Sequence, residues 1–594
     1  MSVLATTRAA LGDAAQDARS AWSRAAWLAV AAGAAAALVP FALGDVVRVD
    51  GLAETGYLAV AAIGLGFAVG IGGMPSVAQG AFVGVGAVAA AHLVGSGWPV
   101  PAAAVAGGAA AGAGGIAVGA AIVRFRPVYV AAATWIATWL FGLALDAFPS
   151  ISGGARGLAV APEWSPTVHY ELALALIVLA TLGHLALSRG SFGLTLRAAA
   201  QRPAAAAALG TESARLRLRG FAGAAAVGGL AGGFAVPLLG VADSSSYDAE
   251  LSFRLLVAVL VGGAATALGP TVGVLLLGTL TLAADEFGRL TGSESARFGP
   301  MLAALLLLPV LTVAEDGIVP ALAGRFRRPH RPPTRAAAGS PEGGVLEVRS
   351  LTKRFGGLVA LDGFDLDVKP GRLLALVGPN GSGKTTALRL LAGTVRADAG
   401  HVKIDGADAT QEPPSRRVRR GLVRTLQANA VFPALTALEN AIVGASVRTR
   451  YGGTLRTLVA TPKARAEARE VRARALAALR VVGLEERADE LAGSLPTAEQ
   501  RLLMLASALA TDPRVLLLDE PSAGAGAREL DRLRRVLLDL DAQGLPLLVV
   551  EHNLRLVRAI ADEVIVLHAG KKLAVGDPDE IAQDSSVRRA YFGR

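Results

Sequence analysis

Residues 378–386 have the sequence Gly378-Pro379-Asn380-Gly381-Ser382-Gly383-Lys384-Thr385-Thr386. The apolar run before them, 373–377, predicts a buried strand, and the run after them, 387–392, predicts a helix. A phosphate-binding loop requires this setting of strand, loop and helix. Its glycines let backbone N–H groups turn toward phosphate oxygens, Lys384 reaches the β- and γ-phosphates, and the Thr385 hydroxyl can bind Mg²⁺. The stretch therefore predicts binding of a nucleoside triphosphate, rather than a glycine-rich turn, because the whole pattern and both flanking elements are present.

Polar residues end three further apolar runs of the same half. Asp519 and Glu520 follow a buried-strand pattern at 515–518. Asp519 can hold Mg²⁺ through water and Glu520 can polarise an attacking water, the two tasks that in-line phosphoryl transfer needs from carboxylates. His552 could contact the γ-phosphate, and Gln427 could sense the metal and the attacking water. Isolated histidines and glutamines are mostly solvated surface groups, so these two assignments rest on order and spacing.

Composition divides the chain into two kinds of protein. Apolar residues make up 53% of the 594 residues and charged residues 18%, and long Ala, Val, Leu and Gly runs dominate up to about residue 320. This pattern is typical of a membrane protein, whereas the remainder has ordinary charge density. The chain has no cysteine, which excludes disulfides, cysteine-ligated zinc and thiol catalysis. The net charge of +10 could indicate nucleic acid, but the arginines lie beside apolar segments, so we predict no nucleic-acid partner.

About ten apolar segments predict a multi-pass domain in the lipid bilayer. The first, 25–43, is interpreted as an uncleaved span rather than a signal peptide, because it is close to the ~20 residues needed to span and further spans follow it. The others cover 57–72, 78–96, 101–123, 128–148, 170–187, 220–240, 254–268, 271–284 and 299–314. Basic residues of 1–24, 124–126 and 188–219 fall on one side if the segments alternate, which predicts that this side is cytoplasmic.

The sequence therefore predicts four parts. They are a basic cytoplasmic arm at 1–24, an all-α polytopic membrane domain at 25–322, a basic linker rich in proline, alanine and glycine at 323–344, and an α/β phosphate-loop domain at 345–594. Arginines of the linker would favour an anionic inner leaflet. No charged cluster interrupts the apolar segments, which disfavours an ion gradient as the energy source.

The half from 345 to 594 resembles the ATP-binding subunit of ABC transporters, particularly that of the branched-chain, or hydrophobic, amino acid importers. The resemblance rests on the loop 378–386, the stretch 421–427, the segment 432–443 with Glu439 and Asn440, a basic insertion near 445–480, and the motifs 519–524, 551–553 and 590–593. It implies an α/β ABC-type ATPase that uses ATP and Mg²⁺. The implied catalytic residues are Glu520, His552 and Gln427, the implied Mg²⁺ ligands are Thr385, Gln427 and Asp519, and Phe355 would stack on adenine.

The membrane half is similar to one permease of the same importers. The matching stretches are 64–86, 126–129, 152–158, 192–210 and 251–270. The resemblance implies a permease fused to an ATPase in the cytoplasmic (inner) cell membrane, with the ATPase domain in the cytoplasm. Implied partners are a second permease, a second ABC ATPase and an extracytoplasmic solute-binding protein.

Several functions stay open at this point. The first is ATP-driven import of branched-chain or other hydrophobic amino acids. An importer of urea, amides or aromatic acids would have the same architecture. A homodimeric exporter half-transporter is disfavoured, because the longest clear cytoplasmic loop between spans is only 188–219. A membrane-tethered regulatory ATPase is a further alternative.

Three positions depart from the family pattern. Where the signature has Leu-Ser/Pro-x-Gly-x-Gln, this chain has Leu495-Pro496-Thr497-Ala498-Glu499-Gln500. Pro496, Thr497, Ala498 and Gln500 would meet ATP held by a partner's loop, and Ala498 replaces the glycine that faces its γ-phosphate. The site that Ala498 completes is expected to be impaired, unless its N–H group still serves. Ala525-Gly526 likewise replaces Leu-Asp or Leu-Asn, and Arg202-Pro203 replaces acidic residues in the 197–210 stretch, which would contact the ATPase.

Overall fold

The computed structural model describes residues 49–243, 245–291, 317–323, 344–425, 430–449 and 461–592. The predicted first and last spans, 25–43 and 299–314, and the candidate Gln427 lie outside these ranges. The described residues form two compact units. The helical unit contains 49–200 and 214–323, and the sheet unit contains 201–213 and 344–592. The segment 201–213, which precedes the last membrane helices in sequence, therefore packs with the C-terminal half.

Helices account for most of the described residues up to 323. They are α1 Val49–Gly66, α2 Gln79–Gly95, α3 Val100–Ile122, α4 Pro127–Ala147, α5 Pro166–Arg189, α6 Ser191–Gln201, α7 Pro203–Ala208, α8 Ser213–Leu239, α9 Ala249–Gly262, α10 Gly269–Thr291 and α11 Ile318–Ala323. All eight predicted apolar segments inside the described ranges fall on helices. Five helices of the described residues, α1 with its extension to Ile71 and α3, α4, α5 and α8, are long and apolar enough to cross a membrane.

Glycines let helices of the helical unit meet through bare backbone. A Cβ atom at Gly86 on α2 would overlap the carbonyl of Gly229 on α8, and one at Gly273 on α10 would overlap the carbonyl of Ala258 on α9. Small residues at helix contacts are what packing within a membrane favours, because apolar burial from water cannot drive it there.

One break between helices lies between α1 and α2. After α1 the chain makes a π-helical turn at Phe67–Ile71 and stays irregular until α2 begins. Val77 lies in this irregular stretch, where its N–H donates to Thr134 Oγ1 at 2.9 Å and its carbonyl accepts from Thr138 Oγ1 at 2.7 Å. Two threonines of α4 thus satisfy backbone groups that the interrupted helix leaves free, which makes the break tolerable in a membrane.

The sheet unit contains two β-sheets. Its strands are β1 Leu346–Phe355, β2 Leu358–Val368, β3 Leu373–Val377, β4 Ala399–Ile404, β5 Ala407–Asp408, β6 Leu422–Arg424, β7 Val515–Asp519, β8 Leu547–Val550, β9 Glu563–His568 and β10 Lys571–Gly576. One sheet has the order β10-β9-β3-β8-β7-β6, and all its neighbours are parallel except β9 and β10. The other is antiparallel, in the order β2-β1-β4-β5.

Most helices of the sheet unit lie between these strands in sequence, whereas α7 precedes the first strand and two helices follow β10. Besides α7 they are α12 Lys384–Leu391, α13 Pro414–Arg419, α14 Ala437–Ala445, α15 Pro462–Val481, α16 Thr497–Leu509, α17 Ala527–Ala542, α18 Leu554–Ile560, α19 Pro578–Gln583 and α20 Ser585–Phe592. Strands β3, β7 and β8 are buried along their whole length. In register, Val550 of β8 pairs with Leu376 of β3 and with Asp519 of β7. The carboxyl ends of three parallel strands therefore meet at one edge, the usual place for ligands in such sheets.

Candidate nucleotide-binding site

The loop 378–386 connects β3 to α12, as the sequence predicts. Gly381 and Gly383 have φ angles of 80° and 107°, which L-residues rarely adopt, and a Cβ at Gly383 would overlap the carbonyl of Ala360. Gly383 precedes Lys384, with which α12 begins, and Thr385 and Thr386 lie in its first turn. The loop is thus closed so that backbone N–H groups and a helix start face the same space.

Lys384 is held inside this loop. Its side chain is buried, and Nζ donates to the carbonyls of Gly378 at 2.7 Å and Pro379 at 2.9 Å and to Ser382 Oγ at 3.4 Å. Burial lowers the pKa of Lys384, and the negative charge of Glu520 opposes that shift. An anionic phosphate would act in the same direction as Glu520, because an opposite charge favours the ammonium form.

Asp519 ends β7 with one oxygen engaged and one oxygen unpaired. Its side chain is only 3% exposed, and Oδ2 accepts a hydrogen bond from Arg424 Nη2 at 2.6 Å. Oδ1 is buried and has no hydrogen-bond partner in the described ranges. Buried carboxylate oxygens are seldom left without a partner, so Oδ1 marks a position where a ligand would complete the site.

Glu520 lies next to this carboxylate in an uncommon backbone conformation. Its φ is 48°, in the left-handed region that non-glycine residues rarely adopt, and its N–H donates to the carbonyl of Val550 at 2.9 Å. Its Oε1 is 2.6 Å from Nε2 of His552, which follows the neighbouring strand. Strained backbone of this kind is concentrated at functional sites. The structure therefore brings together the loop, the adjacent Asp519 and Glu520, and His552, which come from three separate parts of the sequence.

Glu551 is a member of this site whose role the sequence analysis did not recognise. It is buried, and its carboxylate accepts hydrogen bonds from Ser522 N at 2.7 Å, Ser522 Oγ at 2.8 Å and His552 N at 3.1 Å. It thereby ties the turn after β7 to the turn after β8. The signal was available, because an acidic residue directly after a buried strand is as unusual at 551 as it is at 519.

Two other predicted contacts of ATP involve residues outside the loop. Phe355 ends β1 with half of its side chain exposed, and the ammonium of Lys353 lies 5.4 Å from its ring centroid. Residues 496–500 surround the start of α16, where Gln500 Nε2 donates to the carbonyl of Leu495 at 2.8 Å. Within the described residues, no hydrogen bond or ion pair joins 496–500 to 378–386. The contact of 496–500 with ATP held by another chain therefore stays a prediction.

The segment 201–213 packs on the other elements of the sheet unit. Glu212 Oε1 accepts hydrogen bonds from Arg419 Nη2 at 3.1 Å and from Ser415 Oγ at 3.4 Å, and Gln201 Oε1 accepts from the N–H of Ala434 at 3.2 Å. Helix α7 begins at Pro203, directly after Arg202, and contacts α13. Glu212 thus contributes an acidic group to this contact, whereas positions 202–203 are Arg and Pro.

Each half of the chain matches a known protein family. Residues 47–311 match the family model described as branched-chain amino acid transport system / permease component, and residues 361–523 match the ABC transporter model. The high-affinity branched-chain amino acid transport ATP-binding protein BraF of Pseudomonas aeruginosa is 38% identical over 250 residues, which cover 42% of this chain and 98% of that protein. LivG of Escherichia coli, which carries the same description, is 34% identical over the same shares of the two chains.

A third relative belongs to a different kind of system. The lipopolysaccharide export system ATP-binding protein LptB of Acidithiobacillus ferridurans is 34% identical over 249 residues, which cover 42% of this chain and 97% of that protein. The C-terminal half is thus an ATPase of the kind that is coupled to transport, and the N-terminal half is a multi-pass membrane domain. The chain belongs to the branched-chain amino acid transport family of ABC transporters and carries a permease component and an ATP-binding component in one polypeptide.

Proposed function

We propose that the chain is the permease and ATPase component of an ATP-driven importer of branched-chain or other hydrophobic amino acids. The observation that carries this proposal is the combination, in one chain, of a helical half that matches a branched-chain amino acid permease model and a phosphate-loop site assembled at three strand ends. The ATPase half alone does not decide the direction of transport, because a lipopolysaccharide export protein is among its relatives. The permease match therefore argues for import over export.

The loop residues would hold the phosphates of ATP, and Phe355 would stack on the adenine. Oxygen ligands suit Mg²⁺, and the available donors are the unpaired Oδ1 of Asp519 and the hydroxyl of Thr385, with Gln427 assigned to the same role from sequence. These donors fit the ion. Mg²⁺ held there would neutralise charge on the β- and γ-phosphates.

Glu520 would act as the base for the attacking water. As the water oxygen bonds to the γ-phosphorus, the bond from that phosphorus to the bridging oxygen breaks and the water proton passes to the Glu520 carboxylate. His552, 2.6 Å from Oε1, would hold that carboxylate in place and contact the γ-phosphate. Lys384 would balance the negative charge on the β- and γ-phosphates.

Two copies of such a site form only with partners. We propose a second ABC ATPase whose loop holds the ATP that Pro496, Thr497, Ala498 and Gln500 contact, together with a second permease and an extracytoplasmic solute-binding protein. ATP would close the two ATPases, and the segment 201–213 would carry that movement to the membrane helices. Closure can drive transport only if ATP binds one conformation more tightly than the other. We further propose the cytoplasmic membrane as the location and 1–24, 25–322, 323–344 and 345–594 as the domain boundaries.

Reconstitution tests this proposal. The full chain, its partner subunits and the binding protein are placed in liposomes, and uptake of radiolabelled L-leucine is measured with Mg-ATP on the ATPase side. We expect ATP-dependent accumulation that unlabelled isoleucine and valine reduce. Accumulation of urea, an amide or an aromatic acid instead would favour the alternative substrates. ATP-dependent efflux by the chain alone would favour the exporter, and no transport of any solute would favour a regulatory ATPase.

A further inference from the structure

A cavity of about 320 Å³ lies within the helical unit. Its wall comes from the first half of α1, Val83 of α2, the last half of α8 and the stretch 246–254, which includes the start of α9. The volume falls at the lower end of the range of small-molecule sites, about 300–1,000 Å³. Helix α8 has 27 residues and is therefore about 40 Å long, and the cavity lies at its far end from Ser213. In the orientation proposed above, this end is extracytoplasmic.

The cavity has an apolar base and a charged mouth. Val83, Ala231, Ala235 and Leu251 line it and are buried. The exposed residues of the lining include three carboxylates and one guanidinium, Glu54, Asp248, Glu250 and Arg254. A solute with one apolar end and one charged end matches this division, because each end would meet surface of its own kind.

One buried tyrosine of the lining has a hydroxyl without a hydrogen-bond partner in the described part of the chain. Tyr247 is 3% exposed, and its hydroxyl has no hydrogen-bond partner among the described residues. The other tyrosine of the lining, Tyr57, is buried equally but has its hydroxyl 2.9 Å from Nδ1 of His169. Buried hydroxyls nearly always have a partner, and an unpaired one in a cavity wall is a position that a ligand would satisfy.

The charges at the mouth favour an ammonium group. Asp248 is partly engaged, because its Oδ1 accepts from the N–H of Leu251 and caps α9, whereas Glu54, Glu250 and Arg254 form no ion pair within the described ranges. Carboxylates outnumber guanidinium groups here by three to one. A ligand with a positive group is attracted to such a mouth, whereas an anionic ligand that lacks a positive group is repelled.

We propose that this cavity binds the transported amino acid within a single permease. Its ammonium group would contact Glu54 and Glu250, its carboxylate would contact Arg254 and accept a hydrogen bond from the Tyr247 hydroxyl, and its apolar side chain would lie against the base. The proposal rests on the proposed import function and narrows it, because it excludes aromatic acids and other anions that lack an ammonium group. The same contacts give neutral urea and amides little to bind.

The absence of cysteine makes a direct binding test available. In the full chain in lipid nanodiscs, without ATP, Ala235→Cys places a single thiol in the cavity wall, and its labelling rate by a methanethiosulfonate reagent is measured. We expect millimolar L-leucine to slow the labelling and 4-methyl-2-oxopentanoate, which has the same side chain but no ammonium group, to leave it unchanged. Ala161→Cys, exposed and outside the cavity lining, is the control and should be labelled equally with both.

Substitutions in the Ala235→Cys background identify the contacts. Glu54→Gln and Tyr247→Phe should each weaken protection by leucine about tenfold, which is the effect expected of a lost hydrogen bond to a charged or buried group. Glu163→Gln and Tyr129→Phe are matched controls, since both residues are exposed and lie outside the lining. In both control variants, leucine should slow labelling of the thiol as much as it does in the Ala235→Cys parent.

Three outcomes would overturn the proposal. They are labelling that leucine does not slow, equal protection by the oxo acid, and protection that survives both Glu54→Gln and Tyr247→Phe. If leucine protects the thiol but no ATP-dependent uptake is found in liposomes, the binding site stands and the import function fails. If leucine is taken up but does not protect the thiol, the import function stands and the proposed binding site fails.

Discussion

The two units of this chain differ in the kind of buried contact that each depends on. In the sheet unit, buried charges are retained and given partners: Asp519 pairs with Arg424, and Glu551 accepts from Ser522. In the helical unit, helices meet through bare backbone, as Gly86 does with Gly229. The difference follows from the task of each unit, since one must place charges around phosphates and the other must pack where water cannot drive association. In the sheet unit, substitutions of charged residues at the phosphate site should therefore affect ATP hydrolysis. In the helical unit, substitutions that add carbon atoms should affect the packing of the helices.

The largest effect should come from Lys384→Ala. Removing the ammonium that, in our proposal, faces the phosphates should lower ATP hydrolysis and leucine uptake by at least about a hundredfold, because charged groups at a phosphoryl-transfer site contribute that much or more. Both rates are measured in the same liposomes. Lys369→Ala, an exposed lysine of the same unit, is the control and should match the wild type. Uptake by Lys384→Ala at the wild-type rate would remove the loop from the mechanism.

Gly86→Val should cause the next largest loss, and in assembly rather than chemistry. The added carbons would overlap backbone of α8, and overpacking of a tight contact typically costs about 1–3 kcal/mol or more. We expect a lower thermal unfolding midpoint and less monodisperse protein after detergent extraction. Gly142→Val, on α4, is the matched control because no atom lies within 4 Å of its Cβ position. Equal stability of the two variants would show that glycine contacts do not hold the helical unit together.

Arg417→Met removes a buried charge that has hydrogen-bond partners in the sheet unit. The guanidinium is only 2% exposed and donates to the carbonyls of Leu390, Leu391, Thr410 and Glu412. Burial lowers the pKa of Arg417 to about 10, so it stays charged at neutral pH. Removing it would leave buried carbonyls without donors, at a cost of about 3 kcal/mol in the free energy of unfolding. Denaturant unfolding checks this value, and Arg416→Met, at an exposed neighbour, should change it little.

Glu212→Gln should have a smaller and more selective effect. The ion pair of Glu212 with Arg419 is partly exposed, and such pairs contribute less than about 1 kcal/mol. We expect ATP hydrolysis to persist while leucine transported per ATP falls about twofold, a modest change for a contact of that strength. The double variant Glu212→Arg with Arg419→Glu should recover part of the loss. An unchanged ratio of leucine transported to ATP hydrolysed in both variants would mean that this contact does not transmit the movement.

Ala498→Gly should have the smallest effect. Alanine keeps the backbone N–H that the family's glycine would offer, and exchanging alanine for glycine in a helix costs only about 0.5–1 kcal/mol. ATP hydrolysis by the complete assembly should therefore change less than about threefold. A much larger increase would show that the site completed by Ala498 is inactive in the natural chain.

Sequence reasoning succeeded where a short stretch determines the local structure. The loop 378–386, the carboxylates after β7 and His552 after β8 each follow an apolar run, and parallel strands bring such ends together. It missed partners that are distant in sequence. Arg417 binds carbonyls from four separate residues, and no pattern around 417 marks it.

The helical unit was harder to predict at the level of single residues. Its helices follow from apolar runs, but 71 glycines in the chain hide the few that touch another backbone. The cavity is lined by four segments, in α1, α2, α8 and 246–254, and its unpaired Tyr247 hydroxyl can be recognised only in three dimensions.

The central claim is that ATP hydrolysis at the strand-end site drives uptake across the helical unit. The most direct test measures accumulation of radiolabelled leucine against a gradient in liposomes that hold the full assembly, with Mg-ATP or with a non-hydrolysable ATP analogue, for the wild type and for Glu520→Gln. We predict sustained accumulation only for the wild type with Mg-ATP. Equal sustained accumulation with the analogue, or by Glu520→Gln, would contradict the account.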